Sequence, residues 1–247
     1  MMQKDFNMNV ALIFAGGSGS RMNSKSLPKQ FLVLNGRAII IHTLEYFERH
    51  PEIDSICVVC IESWIAYLKG LLEKHGIQKV HWVVPGGSTG QESIYNGVKV
   101  LHNAGVPDDS VVLVHDGVRP LISDQLITDC IQCARQNGNA ITVAPVVETI
   151  ICTDDNNKIA DIYNRSRCHM ARAPQCFRMG DFYRAHEDSH LKGIVNFIDS
   201  ACLMKEYGHT LHMVEGPTEN IKITTPMDFY LMRAFYEARE NSQIFGM

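Results

Sequence analysis

Apolar runs in this chain are short, five or six residues at most, as around 11–14 and 111–114, whereas a helix needs about 20 to cross a bilayer. No membrane-spanning segment is expected. The first nine residues, Met-Met-Gln-Lys-Asp-Phe-Asn-Met-Asn, hold no continuous apolar stretch, so no secretory signal is read and a cytoplasmic location is expected. A basic excess is missing as well. The 23 Lys and Arg stand against 27 Asp and Glu, a net charge of −4, which argues against nucleic acid as a partner while leaving room for a local cationic pocket. Internal repeats and low-complexity stretches are absent. What is there is a chain of 247 residues, 45% of them hydrophobic, enough for one substantial core and incompatible with a disordered or fibrous protein.

Cysteine is not scarce. Eight are present, and Cys57-x-x-Cys60 and Cys130-x-x-Cys133 each have a spacing that zinc sites use. The two pairs are separated by 69 residues, far more than the roughly 15–20 of a zinc ribbon. Strand alternation within Ile56-Cys57-Val58-Val59-Cys60-Ile61 would also send Cys57 and Cys60 to opposite faces of a sheet. Buried thiols acting as small hydrophobes are expected. Cys152, Cys168, Cys176 and Cys202 are too scattered to read as a disulfide framework in a cytosolic chain of this size.

Apolar, β-rich runs at 10–14, 56–61, 80–84, 111–114 and 140–144 read as strands buried on both faces, the pattern of a parallel sheet. Helical periodicity fills the intervals. Trp64, Ile65, Leu68, Leu71 and Leu72 share one helical face, as do Ile94, Val98 and Leu101. A further helix opens at the N-cap Ser123, turns Ile127, Cys130, Ile131 and Ala134 inward, and stops at Asn137-Gly138. Strand and helix in alternation make the fold class α/β.

The pattern changes near 147. Segments 147–152 and 158–162 flank the polar turn 153–157 and predict a hairpin protruding from the sheet. Helices are expected around 181–190 and 199–207, with a short strand at 210–214. The last helix opens at Thr225-Pro226-Met227-Asp228, with Thr at the N-cap, Pro at N1 and an acid at N3. One domain is expected over 1–247, with an arm at about 147–172.

After the first strand comes Ala15-Gly16-Gly17-Ser18-Gly19-Ser20-Arg21-Met22, then Pro28-Lys29-Gln30. Small residues there let backbone N–H groups approach phosphate oxygens, and Arg21 and Lys29 supply positive charge beside them. The dinucleotide fingerprint is not met, because counting from Gly17 puts Met22 where a third glycine belongs. A nicotinamide-dependent dehydrogenase fails on that residue. The Gly-Lys-Ser/Thr ending of a Walker A loop is missing too. His115-Asp116 closes another strand, at the edge where open α/β sheets place ligands. His186, His190, His209 and His212 show no metal-ligand cluster and are assigned no role.

Six ordered blocks then carry a likeness over almost the full chain: Ala15-Gly16-Gly17-x-Gly19-x-Arg21-Met22; Pro28-Lys29-Gln30-Phe31; Pro85-Gly86-Gly87 with Ser93 six residues on; His115-Asp116-Gly117-Val118-Arg119-Pro120; Ala173-Pro174-Gln175-Cys176-Phe177; and Asn220-Ile221-Lys222-Ile223-Thr224-Thr225-Pro226-x-Asp228. In these the chain resembles the cytidylyltransferases that activate sugar-alcohol phosphates, a family with a ribitol-phosphate and a methylerythritol-phosphate branch. The resemblance implies a single-domain, Rossmann-like nucleotidyltransferase fold, a mostly parallel sheet flanked by helices with a protruding β-arm.

The resemblance also implies roles. Ala15, Gly16 and Gly17 would cradle CTP, while Arg21 and Lys29 neutralise its triphosphate and stabilise the transition state. Gly87, Ser88 and Ser93 would surround the cytosine. Asp116, with Gly117 beside it, and Arg119 would lie near the ribose and the acceptor. Lys222 would meet the acceptor phosphate, a third catalytic cation beside Arg21 and Lys29. Thr149 and Arg165 would sit on a dimerisation arm that contributes to the neighbouring active site of a homodimer. Mg²⁺ bridging CTP oxygens is implied, with Asp116 as its candidate protein ligand.

Two positions depart from the family pattern. Gly90 stands where members commonly carry an arginine, and Ile198 precedes Asp199 where the methylerythritol-phosphate enzymes have a substrate-contacting threonine. An isoleucine cannot make that hydrogen bond. Ile198-Asp199-Ser200-Ala201 and the Asn220 to Asp228 block with its following Phe229-Tyr230 resemble the ribitol-phosphate branch, and the resemblance thus implies attack by the phosphate of D-ribitol 5-phosphate on the α-phosphorus of CTP, giving CDP-ribitol and pyrophosphate. The alternatives are 2-C-methyl-D-erythritol 4-phosphate as acceptor, or a CTP-binding protein without catalysis. A phosphate monoester, with a second pKa of about 6, is already mostly dianionic at neutral pH. No general base is required, in keeping with the lack of a Ser-His-Asp set or carboxylate pair.

Overall fold

The computed structural model describes residues 8–17 and 27–245. In chain order the elements are β1 (Asn9–Ala15), β2 (Val33–Leu34), β3 (Arg37–Ala38), α1 (Ile39–Arg49), β4 (Ser55–Cys60), α2 (Ile65–Lys74), β5 (Val80–Pro85), α3 (Gly90–Asn103), β6 (Val111–Asp116), α4 (Asp124–Asn137), β7 (Asn139–Pro145), β8 (Ile151–Thr153), β9 (Ile159–Ile162), β10 (His169–Arg178), α5 (Met179–Leu191), α6 (Ser200–Glu206), β11 (Met213–Glu215) and α7 (Pro226–Phe245). No helix among the described residues is long and apolar enough to cross a membrane.

A seven-stranded sheet runs in the order β11-β7-β10-β6-β1-β4-β5. β1 is parallel to both β4 and β6, β5 extends that set beyond β4, and β11 is parallel to β7. The unbroken apolar runs of β1, β4 and β6 are buried on both faces, as parallel strands covered by helices require. β5 is different: only Val84 in it is fully buried, because it is the edge strand.

Alternation along the strands divides the core. Ile13, Val58 and Cys60 face Phe47 of α1, Leu68 of α2 and Ile127 of α4, whereas Leu12, Cys57 and Val59 face Val98 of α3 and Phe182 of α5. Cys57 and Cys60 thus separate to opposite faces, and the cysteines are free thiols. A third, smaller core joins Leu34, Val118 and Ile223 to Met232 of α7 and fixes the 220–225 segment beside the end of β6.

Capping accounts for the helix ends. Ser123 Oγ accepts from Leu126 N at 3.2 Å, and Gly138 ends α4 with φ +85°. At α7 the Asp228 carboxylate accepts from Thr224 N at 2.8 Å and Thr225 N at 2.7 Å, while Asp228 N donates to Thr225 Oγ1 at 3.3 Å, a capping box with Asp for Glu.

Several elements depart from the sequence reading. β10, the longest strand at 10 residues, is antiparallel to both β6 and β7. Pro174 hides it, since proline removes a ladder hydrogen bond, and the sheet accommodates it by a register shift between Ala171 and Gln175. α1 is hidden by Ile39-Ile40-Ile41, β-branched residues that favour strands; their complete burial, Ile40 and Ile41 in the core under the sheet and Ile39 in the smaller core with Met232, decides for helix. β11 starts later than 210 because Asn139 engages that stretch instead, donating to Thr210 O at 2.8 Å and accepting from His212 N at 2.9 Å. The first arm strand is shorter than 147–152, as Val147 O accepts from the Arg165 guanidinium.

α3 approaches the sheet most closely at Gly97, where an added Cβ would fall 2.5 Å from Leu12 Cδ1 and 2.9 Å from Val59 Cγ2. Gly97→Val is expected to lower stability by about 1–3 kcal/mol. The check is a lower urea midpoint with an unchanged m-value.

Candidate active site

The parallel strands end level with one another. Phe14 is in register with Asp116, Ala15 with Cys60, and Cys60 with Pro85, so the turns 15–17, 85–87 and 116–117 leave from one carboxyl edge. Chain order reverses at β1, with β4 on one side and β6 on the other, and open α/β sheets bind ligands at this position.

Glycines let the turns come together. A Cβ on Gly86 would lie 3.2 Å from Ser93 Oγ and 3.6 Å from Gly16 Cα, and one on Gly16 would lie 3.3 Å from the same hydroxyl. At Gly87 it would meet Glu92 at 2.4 Å. Buried Ser93 accepts from Gly87 N at 2.9 Å and donates to Thr89 O at 2.8 Å, while Ser88 gives both its amide and its hydroxyl to the Glu92 carboxylate. These serines therefore hold the shape of the 87–93 turn through their side chains. Gly117 N donates to Phe14 O at 2.9 Å, and Gln30 Nε2 donates to Ala15 O at 2.7 Å, tying the first turn to its neighbours. Arg21, with Gly19 and Met22, lies outside the described residues.

Beside the glycines sits a charged cluster. Asp116 accepts from Lys222 Nζ at 2.6 Å on one oxygen and from Arg119 Nε at 2.8 Å on the other. Burial by itself would raise the Asp116 pKa; Lys222 and Arg119 outweigh it and hold the carboxyl well below the usual carboxylate range. Arg119 also donates to Asn220 O at 2.9 Å, and Arg172 donates to the same carbonyl at 2.7 Å. Burial, and then the charge of Arg119, lower the Arg172 pKa. Lys29, nearly buried, donates to Ile223 O at 3.0 Å, one residue from Lys222. The sequence reading missed Arg172, whose only signal is its place just before the Ala173-Pro174-Gln175 block.

A cavity of about 380 Å³ adjoins the cluster, and Asp116, Arg119, Arg172 and Lys222 form part of its wall. Ile198, 93% exposed, stands at the rim. Gly90 opens α3 on the same wall, and a Cβ there would meet nothing within 4 Å, so crowding does not explain the lack of an arginine. His115 belongs to the other face of the sheet, its ring 5.2 Å from that of Phe47.

Thr149 and Arg165 are not brought to this place. Both are exposed on the arm, where Arg165 donates to Val147 O at 2.9 Å, and no residue of 147–168 lines the cavity. Among the described residues no group of three or more His, Cys, Asp or Glu is placed to hold a metal. Both oxygens of Asp116 already meet cations, so this donor set does not build a protein-held Mg²⁺ site.

Main-chain turns that can cradle a triphosphate, next to a cationic cavity that can take a second anion, are the equipment of a nucleotidyltransferase. The sequence model for IspD, 2-C-methyl-D-erythritol 4-phosphate cytidylyltransferase, matches residues 9–238. The chain is 47% identical over 240 residues to a ribitol-5-phosphate cytidylyltransferase of Streptococcus agalactiae serotype V, and 48% over 239 residues to one of Vibrio parahaemolyticus, in each case covering 97% of this chain and 100% of the relative. The structure of 4-diphosphocytidyl-2C-methyl-D-erythritol synthase from Anaerococcus prevotii is similar with a TM-score of 0.80 and 29% identity, covering 94% of this chain and 96% of that one. The chain belongs to the IspD family of CTP-dependent cytidylyltransferases.

Burial pushes His115 down to about 4 and His186 down to about 3. Both lie below the ordinary value near 6.5, so as pH falls through about 6.5 the unfolded chain takes up protons that the native state refuses. Stability is expected to fall by about 2 kcal/mol per imidazole between pH 7.5 and pH 5, and His186→Leu to remove about half of that fall. Urea midpoints at the two pH values measure both.

Proposed function

We propose that this cytidylyltransferase joins CTP to D-ribitol 5-phosphate, producing CDP-ribitol and pyrophosphate. The observation that carries the acceptor is the identity to ribitol-5-phosphate cytidylyltransferases over nearly the whole chain. Ile198 at the cavity rim supports it, since its side chain offers no hydrogen bond where the methylerythritol-phosphate branch has a threonine.

In this reading an acceptor phosphate oxygen forms a bond to the α-phosphorus of CTP as the bond to the β-phosphate breaks, and pyrophosphate leaves. The dianionic acceptor needs no base. The work is positioning and fixed positive charge. The 15–17 backbone cradles the triphosphate, Arg21 and Lys29 neutralise it, and the 87–93 turn shaped by Gly87, Ser88 and Ser93 takes the cytosine. Asp116, with Gly117 behind it, orients Arg119 and Lys222, and these two with Arg172 receive the acceptor phosphate. Mg²⁺ arriving with CTP as part of the substrate would add positive charge at the triphosphate beside Arg21 and Lys29.

The arm serves a homodimer. Its apolar residues Val147, Ile151, Ile159, Ile162 and Tyr163 are 47–69% exposed, a surface of the kind that partners cover. Thr149 and Arg165 then complete the neighbouring subunit's site.

Pyrophosphate release with CTP and Mg²⁺ tests the reading. The kcat/KM for D-ribitol 5-phosphate should exceed that for 2-C-methyl-D-erythritol 4-phosphate, and the reverse order would transfer the protein to the other branch. Lys29→Ala should reduce kcat by about 100- to 1,000-fold, or roughly 3–4 kcal/mol. Near-normal turnover would remove Lys29 from the catalytic centre. Mixing Arg165→Ala with Lys29→Ala protein should restore part of the activity through heterodimers; no recovery despite verified subunit exchange would rule out a shared site.

A further inference from the structure

Two glutamines build the cavity wall formed by 194–201. Gln91 donates to Ser189 Oγ at 2.9 Å and Ile194 O at 2.8 Å and accepts from Phe197 N at 2.9 Å. Gln175 donates to Asp199 Oδ2 at 2.9 Å and accepts from Ala201 N at 2.9 Å. Both amides donate and accept in positioning this segment.

Two other polar side chains of the same cavity are not. His186 is 2% exposed and Ser200 4% exposed, and both line the cavity. Neither ring nitrogen of His186, nor Ser200 Oγ, has a hydrogen-bond partner among the described residues. Buried polar groups in folded proteins are nearly always paired, so such orphans call for a ligand or another compensation. Packing sets the imidazole, with Phe182 edge-on at 4.6 Å and Tyr95 parallel at 6.2 Å between ring centres.

The chemistry of the orphans is specific. Burial keeps His186 neutral, and a neutral imidazole offers one donor and one acceptor, as a serine hydroxyl offers both. A row of hydroxyl groups is the complement, since each is donor and acceptor at once. A phosphate instead calls for cations, which Arg119, Arg172 and Lys222 supply on another part of the same wall. The cavity thus suits a molecule with a phosphate at one end and hydroxyls along the rest.

We infer that His186 and Ser200 bind the hydroxyls of the acceptor's polyol chain and set the preference for a longer polyol phosphate over a shorter one. This rests on the proposed transfer to a polyol phosphate. The test compares wild type, His186→Leu, His186→Gln and Ser200→Ala in pyrophosphate release, with D-ribitol 5-phosphate and the three-carbon glycerol 3-phosphate as acceptors. In His186→Leu and Ser200→Ala the KM for ribitol phosphate should rise by about 10- to 100-fold. The KM for CTP should stay as in wild type, and wild type and variants should use glycerol phosphate equally poorly. Glutamine at 186, which retains a donor and an acceptor, should recover part of the loss. His186→Leu should unfold at the same or a higher urea concentration, because it removes an orphaned buried group; a structural role would give the opposite. Folded variants with an unchanged ribitol phosphate KM would overturn the inference while wild-type turnover leaves the acceptor reading intact. Wild-type protein that binds CTP but turns over no polyol phosphate would overturn both, and needs no variant to show it.

Discussion

The Asp116 carboxylate, bonded to Lys222 and Arg119 at 2.6 and 2.8 Å, joins the carboxyl end of a central strand to a segment that precedes the last helix. Remove it and those cations face one another, with Arg172 and Lys29 close behind on the Asn220 and Ile223 carbonyls. A carboxylate at the edge of a cavity can hold two cations in place. In the proposed reading the same ion pairs that anchor the C-terminal segment also set Arg119 and Lys222 where a phosphate-bearing substrate would meet them.

In the proposed reading the two substrates draw on different kinds of structure. The side proposed for the nucleotide is built on glycine turns: glycines at the ends of β1 and β5 approach so closely that a Cβ at Gly86 would lie 3.6 Å from Gly16 Cα, and serine side chains hold the 87–93 turn from behind. The cavity proposed for the acceptor is lined by side chains from β6, β10, α5, α6 and Lys222. A backbone cradle tolerates little change beyond glycine, whereas side chains on helices can be exchanged without moving the frame. This separation is a physical reason why one fold can keep a nucleotide and vary the acceptor.

Much of the scaffold was legible from local pattern. Buried parallel strands announce themselves by apolar runs, and helix ends by caps such as Ser123, Gly138 and the Thr225–Asp228 box, because those signals depend on neighbours in sequence. β10 and α1 were not legible. Pro174 and the triple isoleucine of 39–41 carry the wrong local preference, and pairing with β6 and β7 or complete burial in two cores overrides it. The glycine turns and the Asp116, Arg119 and Lys222 positions stand out as ordered blocks, whereas Arg172 and His186 look like an ordinary charge and an ordinary histidine.

The sequence by itself determined the α/β class, the strand and helix order along most of the chain, the family and the residue types of the glycine turns, since all of these are written in short-range pattern and composition. Only the tertiary structure decided that β10 is inserted antiparallel between β6 and β7, that Arg172 shares a carbonyl with Arg119, and that His186 and Ser200 meet one cavity without hydrogen-bond partners for their side chains among the described residues. Those facts arise from contacts between segments far apart in the chain. The burial that gives a histidine or an arginine its chemistry is a property of its surroundings, which no local pattern contains.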